Sequence, residues 1–92
     1  MSELRALISF ASETEARRAS RALAGGHISA PVVRLPRSAT QMGCGYGVEP
    51  PPEILQEALR ILRGQFGRGR TLRVYLSRDG EHYLPADGGN GL

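Results

Sequence analysis

The chain contains no lysine; all twelve of its basic residues are arginine. That absence excludes Schiff-base chemistry on a lysine amine and a Walker-type phosphate loop, which needs its lysine. We attribute it to compositional bias of the kind a GC-rich coding sequence produces. Cysteine is almost as scarce, with Cys44 alone among 92 residues. One thiol closes no internal disulfide, so nothing points to an oxidising compartment. Nor can it supply the usual structural zinc or iron–sulfur site within one chain, so no metal or cofactor is expected. No apolar run reaches the ~18–20 residues that span a bilayer. The start, Met1-Ser2-Glu3-Leu4-Arg5, mixes an acid with a base and is unlike a signal peptide. A cytoplasmic location with no membrane contact is expected. The net charge of +3 permits weak attraction to anions without pointing to nucleic acid.

A chain of 92 residues makes one small domain with one modest core, most simply in two layers of secondary structure. Residues 1–85 are expected to form a single α+β domain. The tail 86–92, with almost nothing to bury, is expected to be disordered. Leu4, Ala6, Ile8 and Phe10 alternate onto one face of a first strand, and Leu7 adds apolar character to the other. Ser12 and Glu15 have the spacing of a capping box, opening a helix over about Glu13 to Ala24. Ala16, Ala19, Ala22 and Leu23 give that helix a narrow stripe of mostly small residues, and Gly25-Gly26 should end it. Val32-Val33 marks a second strand bounded by Pro31 and Pro36.

Tyr46 to Val48 suits a short third strand. Pro50-Pro51-Pro52 sets up a second helix, expected from about Pro51 to Arg63, with Ile54, Leu55, Ala58, Leu59, Ile61 and Leu62 as its apolar face. Residues 64–70 read as a loop. Thr71 to Ser77 is the cleanest strand, with Leu72, Val74 and Leu76 facing in and Arg73, Tyr75 and Ser77 facing out. Asp79-Gly80 is a hairpin signal, and His82-Tyr83-Leu84 should return as a short strand ended by Pro85. The order strand, helix, strand, loop, short strand, helix, strand predicts a ferredoxin-like split βαβ sandwich. Two helices lie on one face of an antiparallel sheet, with a C-terminal hairpin appended.

Between the two halves lies residues 36–48, a stretch with no helical or strand period over most of its length and with Cys44 set between Gly43 and Gly45. Glycine permits positive φ and removes bulk. The backbone can turn sharply there, present the sulfur outward and leave the Cys44 and Gly45 N–H groups free for an anion. Arg37, turned towards Cys44, would lower the thiol pKa and bind an oxyanion. The competing interpretations are a buried cysteine acting as a small apolar filler and a solvated surface arginine. Other candidates are weaker. His27 follows a helix stop, where a solvated histidine is favoured by the helix dipole. Glu53 and Glu57 at i, i+4 read as a solvated acidic face with no third metal ligand nearby. Arg68-Gly69-Arg70 is too short to argue for RNA. Gly88-Gly89 lies three residues from the end, unlike the terminal diglycine of a ubiquitin-like sulfur carrier. No spacing of nucleophile, base and acid stands out as hydrolytic.

The Leu7-Ile8-Ser9-Phe10 strand, the Ser12 to Leu23 helix, the Val32-Val33-Arg34-Leu35-Pro36-Arg37 strand and the Gly43-Cys44-Gly45 loop together resemble the selenium/sulfur carrier protein-like family of small bacterial domains. The resemblance covers roughly residues 5 to 76. Gly43 stands where family members commonly have a serine before Cys-Gly. It implies that Cys44 is the carrier residue, holding sulfur or selenium as a persulfide or selenosulfide and relaying it between donor and acceptor proteins. Gly43, Gly45 and Arg37 would support it. At most this is thiol-based transfer rather than self-sufficient catalysis. The alternative is a non-catalytic ferredoxin-like module that binds a ligand or partner or forms a homodimer, using sheet edges or the Tyr75/Arg73 face, with Cys44 incidental.

Overall fold

Six consecutive residues that can pleat, with apolar side chains at positions 6, 7, 8 and 10, make β1 (Arg5–Phe10) the strand on which the sheet is built. The computed structural model describes residues 4–35, 45–67, 72–79 and 83–85. Within them the chain continues as α1 (Glu13–Gly25), β2 (Val32–Arg34), β3 (Tyr46–Val48), a 3-10 turn (Pro52–Ile54), α2 (Leu55–Phe66), β4 (Arg73–Ser77) and β5 (Leu84–Pro85). The architecture is α+β, with two helices and an antiparallel sheet, as expected. The strands lie in the order β2-β3-β1-β4-β5. Ile8 stands opposite both Val48 and Val74, so β1 is flanked on both sides. α1 carries the chain from β1 past β3 to β2, and α2 carries it from β3 past β1 to β4.

The first helix forms where its local signals put it. The Ser12 hydroxyl accepts the Glu15 N–H at 3.2 Å, one of the orphan donors of a helix start. Arg17 pairs with Glu13 at 2.8 Å, one turn apart. Ala16, Ala19 and Leu23 are buried, and the small alanines let α1 lie close to the sheet. At its end the Ile28 N–H reaches the Leu23 carbonyl (2.8 Å) and the His27 N–H reaches Ala24 (3.0 Å), the paired bonds of a Schellman motif. The left-handed residue of that motif is His27, with φ 67°, rather than either glycine before it. Gly26 serves a different need: a Cβ there would stand 2.6 Å from Ile61 Cδ1 of α2.

The second helix departs from expectation at both ends. The prolines enter through the 3-10 turn, so the α-helix starts at Leu55, and it continues past Arg63 through Gly64 to Phe66. The cause of the extension is tertiary. The Phe66 ring lies 5.3 Å from that of Phe10, and the Arg18 guanidinium sits 5.2 Å from its centre. Aromatic contact and burial of this kind exceed the roughly 1 kcal/mol that a helical glycine costs. Of the expected 64–70 loop, residues 64–66 are therefore helical, Gly67 follows the helix, and residues 68–70 lie outside the described residues.

One core fills the space between helices and sheet, with Ile8, Phe10, Val48 and Val74 from the strands meeting Leu23, Ala58, Leu59 and Leu62 from the helices. The opposite face of the sheet is less open than its sequence suggests. Leu7, Leu35 and Tyr83 form a second buried cluster, with Val33 and Tyr75 packed against it. Tyr75 and Ser77, expected to face solvent, therefore do not simply do so. Tyr75 is partly covered, and Ser77 is 3% exposed, its hydroxyl donating to Asp79 at 3.0 Å. Leu76 is only partly buried, contrary to its assignment to the core. β5 pairs with β4 through Tyr75–Pro85 and Leu76–Leu84, so Pro85 lies inside the strand rather than beyond it. Residues 80–82 of the expected turn and the tail 86–92 lie outside the described residues.

Candidate functional site

The described residues stop at Leu35 and resume at Gly45, on either side of the stretch that carries Cys44. At its base the Leu35 N–H donates to the Gly45 carbonyl at 3.0 Å, continuing the β2–β3 ladder one step beyond the Arg34–Tyr46 pair. The other end of the ribbon is tied by the Glu49 N–H, which donates to the Pro31 carbonyl at 3.0 Å. A ribbon only three residues per strand long is thus closed at both ends. Arg5 adds a 3.6 Å ion pair to Glu49.

Of the four residues singled out from the sequence, Cys44, Gly43 and Arg37 lie outside the described residues. Gly45 is described, and its role differs in part from expectation. It is not among the residues with positive φ, so left-handed backbone is not what it provides. A Cβ on Gly45 would meet Leu35 Cδ1 at 3.4 Å, and one on Gly47 would meet Leu35 Cδ2 at 3.0 Å. The two glycines leave a shallow trough in β3 along which the Leu35 side chain lies, 5% exposed. Leu35 is the residue that sequence reasoning missed. Its signal was available, because Val33 and Leu35 share one face of an alternating strand and the glycines opposite them remove bulk on the same face.

The register shows what else stands at this end of the sheet. Arg34, Tyr46 and Phe10 lie side by side across β2, β3 and β1, with Tyr46 packed against the main core and Arg34 exposed. Two residues after Phe10 comes the capped start of α1, a place where backbone N–H groups and the helix dipole favour negative charge. Its first turn already holds Glu13 and Glu15.

Among the described residues, the other candidates His27 and Glu57 are not gathered here. His27 is at the far end of α1, about 20 Å along a helix of 13 residues at 1.5 Å each, and is exposed. Glu57 is taken up by Arg60, which donates to both its oxygens at 2.7 and 2.6 Å. This bond, with the charge of the carboxylate, raises the Arg60 pKa. His82 lies outside the described residues. Among the described residues, no group of three or more His, Cys, Asp or Glu is placed to hold a metal ion, and no helix is long and apolar enough to cross a membrane.

Comparison with known proteins gives a family match. A family model described as "Putative Se/S carrier protein-like" matches residues 5–68, a span that runs from β1 to just beyond α2 and includes Cys44. No curated protein and no solved structure matches the chain.

Proposed function

This chain belongs to the Se/S carrier protein-like family, and from that premise we propose that it carries sulfur or selenium on Cys44 and relays it to a partner protein. The observation that carries the proposal is that the family match over residues 5–68 encloses the only thiol in the sequence. The chemistry needs no redox partner. The Cys44 thiolate attacks the outer sulfur of a donor persulfide. The Cys44–sulfur bond forms as the donor's sulfur–sulfur bond breaks, and the donor leaves as a thiolate. Transfer onward repeats the step with Cys44 as the leaving group. A selenosulfide follows the same exchange with selenium as the outer atom.

Such a relay needs a reactive group on a segment that two different proteins can approach in turn, held by a scaffold that does not change. The closed base between Leu35 and Gly45 and the two-sided packing of the sheet support the second requirement. Gly43, Gly45 and Arg37 are proposed to supply the first, as small flanks and a cation that lowers the thiol pKa. Donor and acceptor proteins are the partners, and the cytoplasm is the compartment. The strand order β4-β1-β3-β2, with one helix over each crossing, supports a ferredoxin-like split βαβ. The β4–β5 pairing supports the appended hairpin.

The test is intact-protein mass spectrometry after incubation with a cysteine desulfurase and cysteine, comparing the native chain with Cys44→Ser. Adducts of one or more sulfur masses, lost in the variant and on reduction, are the expected result. No sulfur adduct, with Cys44 slow towards an alkylating reagent in the folded protein, would refute the proposal.

A further inference from the structure

Among the described residues the sheet has two edges, β2 and β5, and they differ in what they offer a partner. β5 consists of Leu84 and Pro85, and proline has no N–H to donate. On β2 the parity of the ladder is fixed by two observed bonds. Pro31 accepts from Glu49 and Leu35 donates to Gly45, so positions 31, 33 and 35 point their backbone groups at β3. In an antiparallel pair these directions alternate, so the N–H and C=O groups of Val32 and Arg34 point away from the sheet. Pro31, whose missing N–H lies on the inner side, does not blunt this edge.

The same edge is flanked by cations. The Ser20 hydroxyl of α1 donates to the Ala30 carbonyl at 2.7 Å, which places the Ser20 flank of the helix beside the entry to β2. By helical spacing that flank also carries Arg17, and Arg21, one turn after Arg17, lies next to it on the solvent side, whereas Arg18 is turned the other way, over Phe66 of α2. Arg17 is matched by Glu13. Arg21 and Arg34 are exposed and have no acidic partner among the described residues. Arg34 projects on the helix-bearing face, in register with Tyr46. Val33, on the alternate face, joins the second apolar cluster.

We propose that β2 is a docking edge for an extended acidic segment of a partner protein, which adds to the sheet as a sixth strand. Its backbone bonds with Val32 and Arg34, its acidic side chains face Arg34 and Arg21, and its alternate apolar side chains face Val33. Main-chain bonds supply affinity and the alternating side chains supply selection, as in other strand additions. The inference rests on the edge and its charges and is independent of any chemistry at Cys44.

The experiment titrates the 15N-labelled full chain with an alternating glutamate–valine octapeptide and follows backbone amide shifts, with an alternating arginine–valine octapeptide for comparison. The expected shifts centre on Val32 and Arg34, occur with the acidic peptide alone, and weaken by about tenfold or more in the double variant Arg21→Glu/Arg34→Glu. Arg78→Glu, on an exposed residue beyond β4, should leave binding unchanged. Equal binding of both peptides, shifts centred elsewhere or no shift at millimolar acidic peptide would overturn the proposal. So would sedimentation showing that β2 is closed by a second copy, or displacement of the acidic peptide by a single-stranded oligonucleotide bound through the same arginines.

Discussion

Gly47 is the position at which the smallest added group should do the most damage. It lies in the middle of β3, opposite Ser9 of β1 and Val33 of β2. A Cβ built there would stand 2.5 Å from the Ile8 carbonyl oxygen and 3.3 Å from its carbon, with Leu35 Cδ2 at 3.0 Å. The leucine methyl can swing aside. The carbonyl cannot, because Ile8 belongs to the central strand and is paired on both sides. Gly47→Ala must therefore push β3 away from β1. We take about 2 kcal/mol for overpacking and about 1 kcal/mol for a weakened ladder bond. Against these stands about 0.5 kcal/mol from the reduced freedom of the unfolded chain. The net loss is about 2.5 kcal/mol, or a fall in Tm on the order of 10–20 °C for a domain of this size.

Gly64→Ala is the matched control, since Gly64 is exposed within α2 and a Cβ there meets nothing within 4 Å; it should stabilise by about 1 kcal/mol. Urea unfolding followed by far-ultraviolet circular dichroism measures both. Adding Leu35→Ala to Gly47→Ala removes the methyl contact but not the carbonyl contact, and should not restore stability. A Gly47→Ala protein within about 0.5 kcal/mol of the native chain, the ordinary range of harmless substitutions, would refute the reasoning.

Three further substitutions test other joints of the fold by the same unfolding measurement. His27→Gly should stabilise by about 0.5–1 kcal/mol, because it relieves a left-handed conformation in a residue that carries a Cβ; a loss of stability would mean that the imidazole itself holds the turn. Ser12→Ala removes the acceptor for the Glu15 N–H and should cost about 1 kcal/mol, with no effect counting against the cap. Leu7→Ala should cost about 2–4 kcal/mol, since Leu7 is 2% exposed on the face away from the helices; a cost below about 1 kcal/mol would show that this second cluster adds little to the core.

Features that depend on neighbours in sequence were legible from the sequence, and features that depend on distant partners were not. The start of α1 follows from Ser12, Glu15 and the alanine stripe, all within about three turns, and the structure begins the helix at Glu13. The end of α2 was misplaced because the ring that holds Phe66 belongs to Phe10, more than fifty residues earlier. Partial cover of Tyr75 was missed for the same reason, as the second cluster includes Leu35 and Tyr83 from elsewhere in the chain. Even the helix stop was legible only in part: two glycines announce it, yet the left-handed residue is the histidine after them, since the Schellman bonds, once Leu23 and Ile28 are buried together, select the position by count rather than by residue type. At the candidate site, a lone thiol between glycines could be picked out at once. The Leu35–Gly45 closure beside it in the sequence could not, because nothing local announces a bond between residues ten apart.

That closure separates two things that change at different rates. With Leu35 and Gly45 held to each other, the nine residues between them can lengthen, shorten or change composition without disturbing the strands that carry them. Doubling such a stretch costs about 0.6 kcal/mol in closure entropy, less than the loss of one buried methyl group. Descendants of this fold can therefore try new loop chemistry almost freely, so long as the leucine and the glycine at its base remain.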